Sequence, residues 1–145
     1  MANVGDVAKY ILERGGGMTT MKLQKLCYYS QAWSLVWDEK PLFPEEIQAW
    51  ANGPVCPELY HQHTGKFRVD ADEIEGDSGK LSKDEKETVD AVLRFYGDMG
   101  AWELSSLTHK EDPWRAARGD LPQGAWCDRP ITDAAMSEYY SGLTD

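Results

Sequence analysis

The stretch of sequence that decides the fold runs from Met21 to Asp38 and reads MKLQKLCYYSQAWSLVWD. On a helix drawn through it, Leu26 and Trp33 share one stripe, while Leu35 and further apolar residues fall on the remaining sides. A helix that is apolar nearly all round is one that other elements pack around. The stretch therefore predicts a central helix in which Leu26, Trp33 and Leu35 are largely buried.

Helical spacing, caps and chain breakers predict further helices on both sides of this one. They are expected at residues 4–14, 57–63, 82–97, 101–108, 112–118 and 133–141. The signals are a glycine run at 15–17, Pro57 in a first turn, a capping box of Ser82 and Glu85, Asp112 as a cap before Pro113, and Thr132 as the last cap.

Two short segments favour strands. Residues 46–52 alternate between apolar and other side chains, although residues 45–50 would also suit a short helix. Residues 66–69 are a second candidate strand that could pair with the first. The predicted fold class is mainly α: one compact domain over residues 1–145, with six or seven helices around the central hydrophobic helix and at most a small β-hairpin.

The composition indicates an acidic protein of the cytoplasm. The 15 Lys and Arg against 25 Asp and Glu give a net charge of −10, which disfavours nucleic acid and anionic lipid and favours a basic partner. The same charge would equally serve solubility alone. The chain has no apolar run long enough to span a membrane and no secretory signal, so its three widely spaced cysteines are expected to be free thiols.

The residues that could carry chemistry do not form a recognisable catalytic or metal pattern. His61 and His63 would point in different directions on a helix. Cys56 and His109 are the other candidate metal ligands, and the sequence contains no C-x-x-C pair. Cys27 falls in an apolar stripe, and a Cys56–His61 pair lacks a third orienting group. We therefore expect a protein that is not an enzyme, with no catalytic residue, no metal and no cofactor.

Two pairs of basic residues could each form a small strip. Lys22 and Lys25 share one helix face, as do Arg115 and Arg118. Against the net negative charge, and without a recognisable recognition helix, direct binding of nucleic acid is disfavoured.

Three stretches of the sequence carry motifs that resemble those of a known family. Residues 22–35 read KLQKLCYYSQAWSL and are similar to a K-L-x-K-L-L-Y-Y-x-Q-x-W-x-L core. Residues 47–60 and 100–114 resemble E-A-W-x-x-G-P-V-x-P-x-L-Y and L-S-x-L-T-H-x-E-x-P-W patterns. These motifs resemble those of the Panacea family, which includes SocA-like antitoxins and phage-associated GepA-like proteins. The chain departs from the family at Cys27, where leucine is usual, and at Gln48, where glutamate is frequent.

The resemblance implies a type II antitoxin that neutralises a toxin encoded by an adjacent gene through direct protein contact. Translation-inhibiting nucleotide pyrophosphate transferases are among the toxins it implies, and phage defence is the setting. A homo-oligomer and a hetero-oligomer with the toxin both stay open. The alternatives are an adaptor that delivers a toxin to a protease, with the acidic residues 70–77 as an exposed docking tether, and an autorepressor that binds DNA.

The motifs also supply candidate residues. Expected toxin contacts are Lys25, Tyr28, Tyr29, Gln31, Trp50, Tyr60, Thr108, His109, Glu111 and Trp114. Expected core residues are Leu23, Leu26, Trp33, Leu35, Leu104 and Leu107. For Thr108, His109 and Glu111, a hydrogen-bonded knot that fixes the following helix is an equally open interpretation.

Overall fold

The structure is a computed structural model that describes residues 1–144, and it is mainly α-helical, as predicted. The described residues form seven α-helices: α1 (Val4–Gly15), α2 (Thr20–Trp37), α3 (Pro57–His63), α4 (Lys83–Tyr96), α5 (Ala101–His109), α6 (Asp112–Arg118) and α7 (Asp133–Ser141). They also form five short strands: β1 (Met18–Thr19), β2 (Ile47–Trp50), β3 (Gly53–Val55), β4 (Arg68–Val69) and β5 (Pro130–Ile131). Asp145, the last residue of the predicted domain, lies outside the described residues.

Helix α2 runs through the core, as its all-round apolar pattern predicts. It packs against α1, α4, α5 and α7 and against the β3 strand. Leu26 and Trp33 are buried, and Leu35 is half-buried against the core. Thr19 caps the helix, because its hydroxyl accepts a hydrogen bond from the Lys22 amide at 3.2 Å.

The β structure is more extensive than the single hairpin predicted. Strands β2 and β3 form an antiparallel hairpin, and β5 pairs with the other edge of β2 through Ile47 and Ile131. The predicted partner of β2, the segment at residues 66–69, instead supplies β4, which pairs with β1 through Val69 and Met18. Both edges of β2 are already occupied, so β4 has no place beside it.

The turn between β2 and β3 requires a glycine. Gly53 has a φ of 121°, a conformation that L side chains rarely adopt. A Cβ atom at Gly53 would also lie 2.5 Å from Cε of Lys25 and 3.0 Å from Oγ1 of Thr108. The hairpin therefore packs directly onto α2 and α5 through a position without a side chain.

Side-chain caps fix the starts of two later helices, α4 and α7. The predicted capping box of α4 is present: the Ser82 amide donates to Oε1 of Glu85 at 2.8 Å, and the Glu85 amide donates to the Ser82 hydroxyl at 3.2 Å. Thr132 caps α7 as predicted. The cap of α6 is Glu111 and not Asp112, and its side chain makes no capping bond because the carboxylate turns into the core.

The acidic segment after β4 forms two single-turn 3₁₀ helices, Ala71–Glu73 and Ser78–Lys80. Its acidic side chains are exposed, as predicted, but its backbone is bonded to the helices beneath. The Asp77 amide donates to Oδ1 of Asp6 at 2.7 Å, and the Glu75 amide donates to Oε1 of Gln62 at 2.7 Å. The segment is therefore a fixed acidic surface.

Gln31 joins α2 to the segment that follows it. Its Oε1 accepts hydrogen bonds from the amides of Leu42 at 2.7 Å and Phe43 at 3.1 Å, and its Nε2 donates to the Phe43 carbonyl at 2.9 Å. Gln31→Met keeps the volume but leaves these buried backbone groups without a partner. We expect it to lower the free energy of unfolding by about 3 kcal/mol, measured by urea denaturation.

The control for this substitution is Gln48→Met. Gln48 is only half-buried and bonds to the side chains of Glu46 and Trp50. We expect a loss of less than about 1 kcal/mol there. Equal losses for the two variants would contradict the role assigned to Gln31.

Candidate functional site

A buried polar network joins α2 to the C-terminal helices. Oε1 of Glu111 accepts hydrogen bonds from the hydroxyls of Tyr29 and Tyr140, each at 2.7 Å, and the Tyr140 hydroxyl lies 3.0 Å from that of Tyr28. Desolvation raises the pKa of Glu111, while the two hydroxyl donors act in the opposite direction. The network ties α7 and the start of α6 to the central helix.

A chain of aromatic rings leads from this network to the surface. Tyr29 stacks on Tyr96 with 4.1 Å between ring centroids, and the Tyr96 hydroxyl accepts a hydrogen bond from Nε1 of Trp33 at 3.0 Å. Burial raises the pKa of Tyr96 to about 12, so its phenol is neutral at physiological pH. Trp33 in turn stacks on Trp37 at 4.9 Å, at the exposed end of α2.

The rings end in an apolar groove of about 460 Å³, here named the Trp37–Phe95 groove. Its lining residues are Trp33, Trp37, Ala91, Val92, Phe95, Tyr96, Leu107, Glu111 and Leu143. The side chains of Phe95, Trp37 and Leu143 are 71%, 48% and 52% exposed. Leu107 also lines a second depression that includes exposed Trp102. Such a concentration of exposed apolar side chains is typical of an interaction surface.

A second cavity, of about 350 Å³, lies between α2, the β2–β3 hairpin, α3 and residues 126–127, and is here named the Lys25 cavity. It is lined by Thr20, Met21, Gln24, Lys25, Trp50, Ala51, Asn52, Val55, Tyr60, His63, Trp126 and Cys127. The cavity brings together three predicted contact residues, Lys25, Trp50 and Tyr60.

Lys25 is a buried cation with no countercharge in the described part of the chain. Its side chain is only 1% exposed, and no described residue pairs with its ammonium group. Desolvation alone lowers the pKa of Lys25 to about 8. The positive charge of Lys25 also lowers the pKa values of His63 and His109, in each case after the larger effect of burial.

Most of the predicted toxin contacts lie inside the protein. The buried ones are Lys25, Tyr28, Tyr29, Gln31, Thr108, Glu111 and Trp114, and the partly exposed ones are Trp50, Tyr60 and His109. The Thr108 hydroxyl donates to the Ser105 carbonyl at 2.7 Å, and the His109 ring stacks on Trp114 at 4.0 Å. Contact with a toxin stays a prediction for all ten residues. The side-chain hydrogen bonds of the buried ones, Lys25 and Thr108 apart, connect elements of the fold.

The predicted core residues are placed in and around the interior. Leu23, Leu26, Trp33 and Leu104 are buried, and Leu35 and Leu107 are half-buried against the core.

Neither predicted basic strip exists at the surface, because one member of each pair is buried. Lys25 lies inside, as described, and Arg118 is 3% exposed. The Arg118 guanidinium donates to the carbonyls of Ala49 at 3.0 Å, Pro122 at 3.1 Å and Ala125 at 2.8 Å. It therefore serves as a clamp for the segment after α6.

The thiols and histidines considered from sequence have structural surroundings. Burial raises the pKa of Cys56 to about 11 and raises that of Cys27 strongly, which keeps both thiols protonated and unreactive. His63 accepts a hydrogen bond from Nε2 of Gln24 at 2.9 Å, with its proton placed on the other ring nitrogen. His61 is exposed.

Three exposed carboxylates, of Asp70, Asp72 and Glu73, have oxygens within 4.8 Å of one another. Glu73 is already engaged by the Lys66 ammonium at 2.9 Å and by the Asp70 amide. An exposed acidic group of this kind does not by itself identify a metal site. Within residues 1–144, no helix is long and apolar enough to cross a membrane.

The exposed aromatic residues are the main features that the sequence interpretation missed. Phe95 falls off the Val89–Val92–Tyr96 stripe of α4, so its place in the helical period was a usable signal. Trp126 lies in a segment without periodicity, 79% exposed, and had no such signal.

The fold and these surfaces define a small, mainly helical protein with two apolar concavities suited to binding. Residues 23–115 match the family model described as antitoxin SocA-like, Panacea domain. The match covers more than half of the chain, which therefore belongs to this family, as its three motifs predicted. No curated protein and no solved structure shows significant similarity to the chain.

The buried charge of Lys25 should lower stability. Folding lowers its pKa from 10.5 to about 8, so the unfolded chain holds the proton more tightly, and stability rises with pH between these two values. We expect Lys25→Met to be more stable than the wild type by about 3 kcal/mol at pH 7, with the difference shrinking as the pH approaches 10.5. Urea denaturation in a chloride buffer across this pH range would measure it, and a constant difference would contradict the expectation.

Glu111 should show the opposite pH dependence. Folding raises its pKa above 4.5, so its contribution to stability is complete below pH 4.5 and is lost as the pH rises through the folded pKa. Glu111→Gln keeps an acceptor for Tyr29 and Tyr140 and cannot ionise. We expect the wild type to lose stability relative to this variant between pH 4.5 and neutrality, measured by urea denaturation.

A second variant separates the acceptor from the charge. Glu111→Ala leaves two buried hydroxyls without their acceptor and should cost on the order of 3 kcal/mol at any pH in this range. An alanine variant as stable as the glutamine variant would contradict the network assignment.

Proposed function

We propose that the chain is a type II antitoxin that neutralises a cognate protein toxin by binding it directly. Membership of the SocA-like Panacea family supports the antitoxin role. The observation that carries direct binding is the Trp37–Phe95 groove, an exposed apolar surface on a chain that is otherwise strongly charged. The toxin is expected from the adjacent gene, and a translation-inhibiting nucleotide pyrophosphate transferase is one candidate.

The groove has the composition of an interface centre. Binding energy at protein interfaces concentrates in aromatic side chains that become fully desolvated. Phe95 and Trp37 are exposed in the free chain and are backed by the packed rings of Trp33 and Tyr96. Rigid backing reduces the ordering cost of binding. An apolar ridge of the toxin would therefore bind without rearrangement of the core.

The net charge of the chain indicates which charge the toxin should carry around that apolar ridge. A net charge of −10 attracts a basic surface and accelerates encounter at low ionic strength. The toxin surface that fits is an apolar centre with a basic rim. Neutralisation of this kind works by occlusion and requires no catalytic group on the antitoxin.

The adaptor alternative is an outcome of the same experiment. The acidic segment at residues 70–77 is bonded to α1 and α3 through Asp6 and Gln62, so it lacks the freedom of a tether. A protease could still recognise it as a fixed surface.

The test is co-expression of the chain with the product of its neighbouring gene, scored for growth rescue and for copurification. Phe95→Asp places a charge in the groove at a position that is already 71% exposed. We expect at least about 30-fold weaker binding and loss of rescue. Calorimetry or surface plasmon resonance with purified proteins would give the affinity.

Phe67→Asp is the matched control. Phe67 is 79% exposed and is not among the residues that line the groove. It should leave affinity and rescue unchanged. Growth rescue without a stable complex would contradict direct binding and favour the adaptor or the autorepressor. If the product of the neighbouring gene is harmless when expressed alone, the antitoxin proposal is wrong.

A further inference from the structure

We propose that the Lys25 cavity is a binding site for the carboxylate or phosphate group of a small molecule with a flat, apolar body. This site is separate from the proposed toxin surface, because the Lys25 cavity and the Trp37–Phe95 groove have no lining residue in common. The inference therefore does not depend on toxin binding.

The first argument is the uncompensated charge. A buried ammonium group is normally paired, since an unpaired one is costly. Lys25 has no acceptor or carboxylate partner among the described residues, although the chain contains 25 acidic residues. None of the twelve described residues that line the cavity is acidic. An anion from solution would supply the missing partner.

The second argument is that several polar groups of the lining are already engaged, while the charged group is not. Gln24 exchanges hydrogen bonds with the backbone of Cys56 and donates to His63. The Thr20 hydroxyl donates to the Lys66 carbonyl at 3.2 Å. Asn52, Tyr60 and Trp126 also have no side-chain hydrogen bond among the described residues, but the Lys25 ammonium is the charged group of the lining and therefore the one that would favour an anion.

The third argument is that Lys25 is held in place. The end of its side chain lies against the backbone of Gly53, close enough that a Cβ atom there would stand 3.3 Å from Nζ and 2.5 Å from Cε. The Thr108 hydroxyl closes the same position from α5. A charge fixed before binding spends less free energy on ordering when the ligand arrives.

The walls of the cavity indicate the rest of the ligand. Trp50 and Tyr60 meet edge to face with 5.0 Å between ring centroids, and Met21 and Val55 complete an apolar lining. Trp126 stands at the rim with 79% of its side chain exposed. A volume of about 350 Å³ lies at the lower end of the range for small-molecule sites. One or two rings joined to an anionic group match this lining.

The experiment compares acids with their neutral counterparts. The purified chain of 145 residues would be titrated at pH 7 and low ionic strength with benzoate and benzamide, and with AMP and adenosine. Calorimetry would measure affinity, and quenching of tryptophan fluorescence would report occupancy near Trp50 and Trp126. We expect at least one acid to bind about ten- to hundredfold more tightly than its neutral counterpart, the range of a charge-assisted hydrogen bond.

Lys25→Met should abolish this preference. Lys40→Met also removes one positive charge, but from an exposed position, and this variant should still prefer the acid. Trp126→Ala, a substitution at the rim, should weaken binding of the preferred acid and should have little effect on the stability of the protein. Far-UV circular dichroism would establish that each variant is folded.

The outcomes separate the sources of the anion and test the site. If only benzoate binds more tightly than its neutral counterpart, the site is selective for carboxylates. If only AMP does so, the site is selective for phosphates. Equal binding of acid and neutral counterpart would overturn the proposal. So would a preference that survives Lys25→Met, or no binding of either acid at millimolar concentration.

Discussion

The enclosure of α2 on all sides is the constraint on which the rest of the structure depends. A polar side chain in the buried stretch of this helix, residues 23–34, is shielded from water and has to find its partner inside the protein. Gln24 accepts a hydrogen bond from the backbone amide of Cys56, and Gln31 accepts one from the loop after α2. Tyr29 donates a hydrogen bond to Glu111. Each bond holds a different segment against the helix. Residues that burial alone would penalise therefore determine where the loops and the C-terminal helices lie.

Two polar groups on α2 depart from this pattern, and they differ in an instructive way. The Ser30 hydroxyl is buried and has no hydrogen-bond partner within residues 1–144, but it is small and uncharged, so its desolvation cost is modest. Lys25 carries a full charge, and it borders a cavity large enough for another molecule. Stability alone would favour an apolar residue at that position. Such a departure from the stabilising choice is expected at functional or strained sites.

Local signals in the sequence were sufficient for much of the fold but not for its long-range contacts. The apolar pattern of α2 and the capping box at Ser82 involve neighbours within a few positions, so both could be predicted. The pairing of β4 with β1 depends on which strand edges are free in the folded chain, which no local pattern reveals. Lys25 and Arg118 were expected at the surface because charged residues usually are, and only packing shows that both are enclosed. The carboxylate of Glu111 accepts hydrogen bonds from Tyr29 and Tyr140, which are far away in sequence, so no local pattern could show that this cap residue turns its side chain into the core.

The tyrosine network also has a consequence for the order in which the chain is made. Tyr140 follows Tyr28 by 112 positions, yet their hydroxyls are 3.0 Å apart in the folded protein. A ribosome that adds about 5–20 residues per second needs roughly 6–22 s to synthesise these 112 residues. During this interval α2 has been synthesised without the helix that closes over it, and its aromatic faces are open to chaperones and to aggregation. Synthesis of α7, and not the early appearance of the central helix, therefore sets the moment at which the aromatic faces of α2 can be covered.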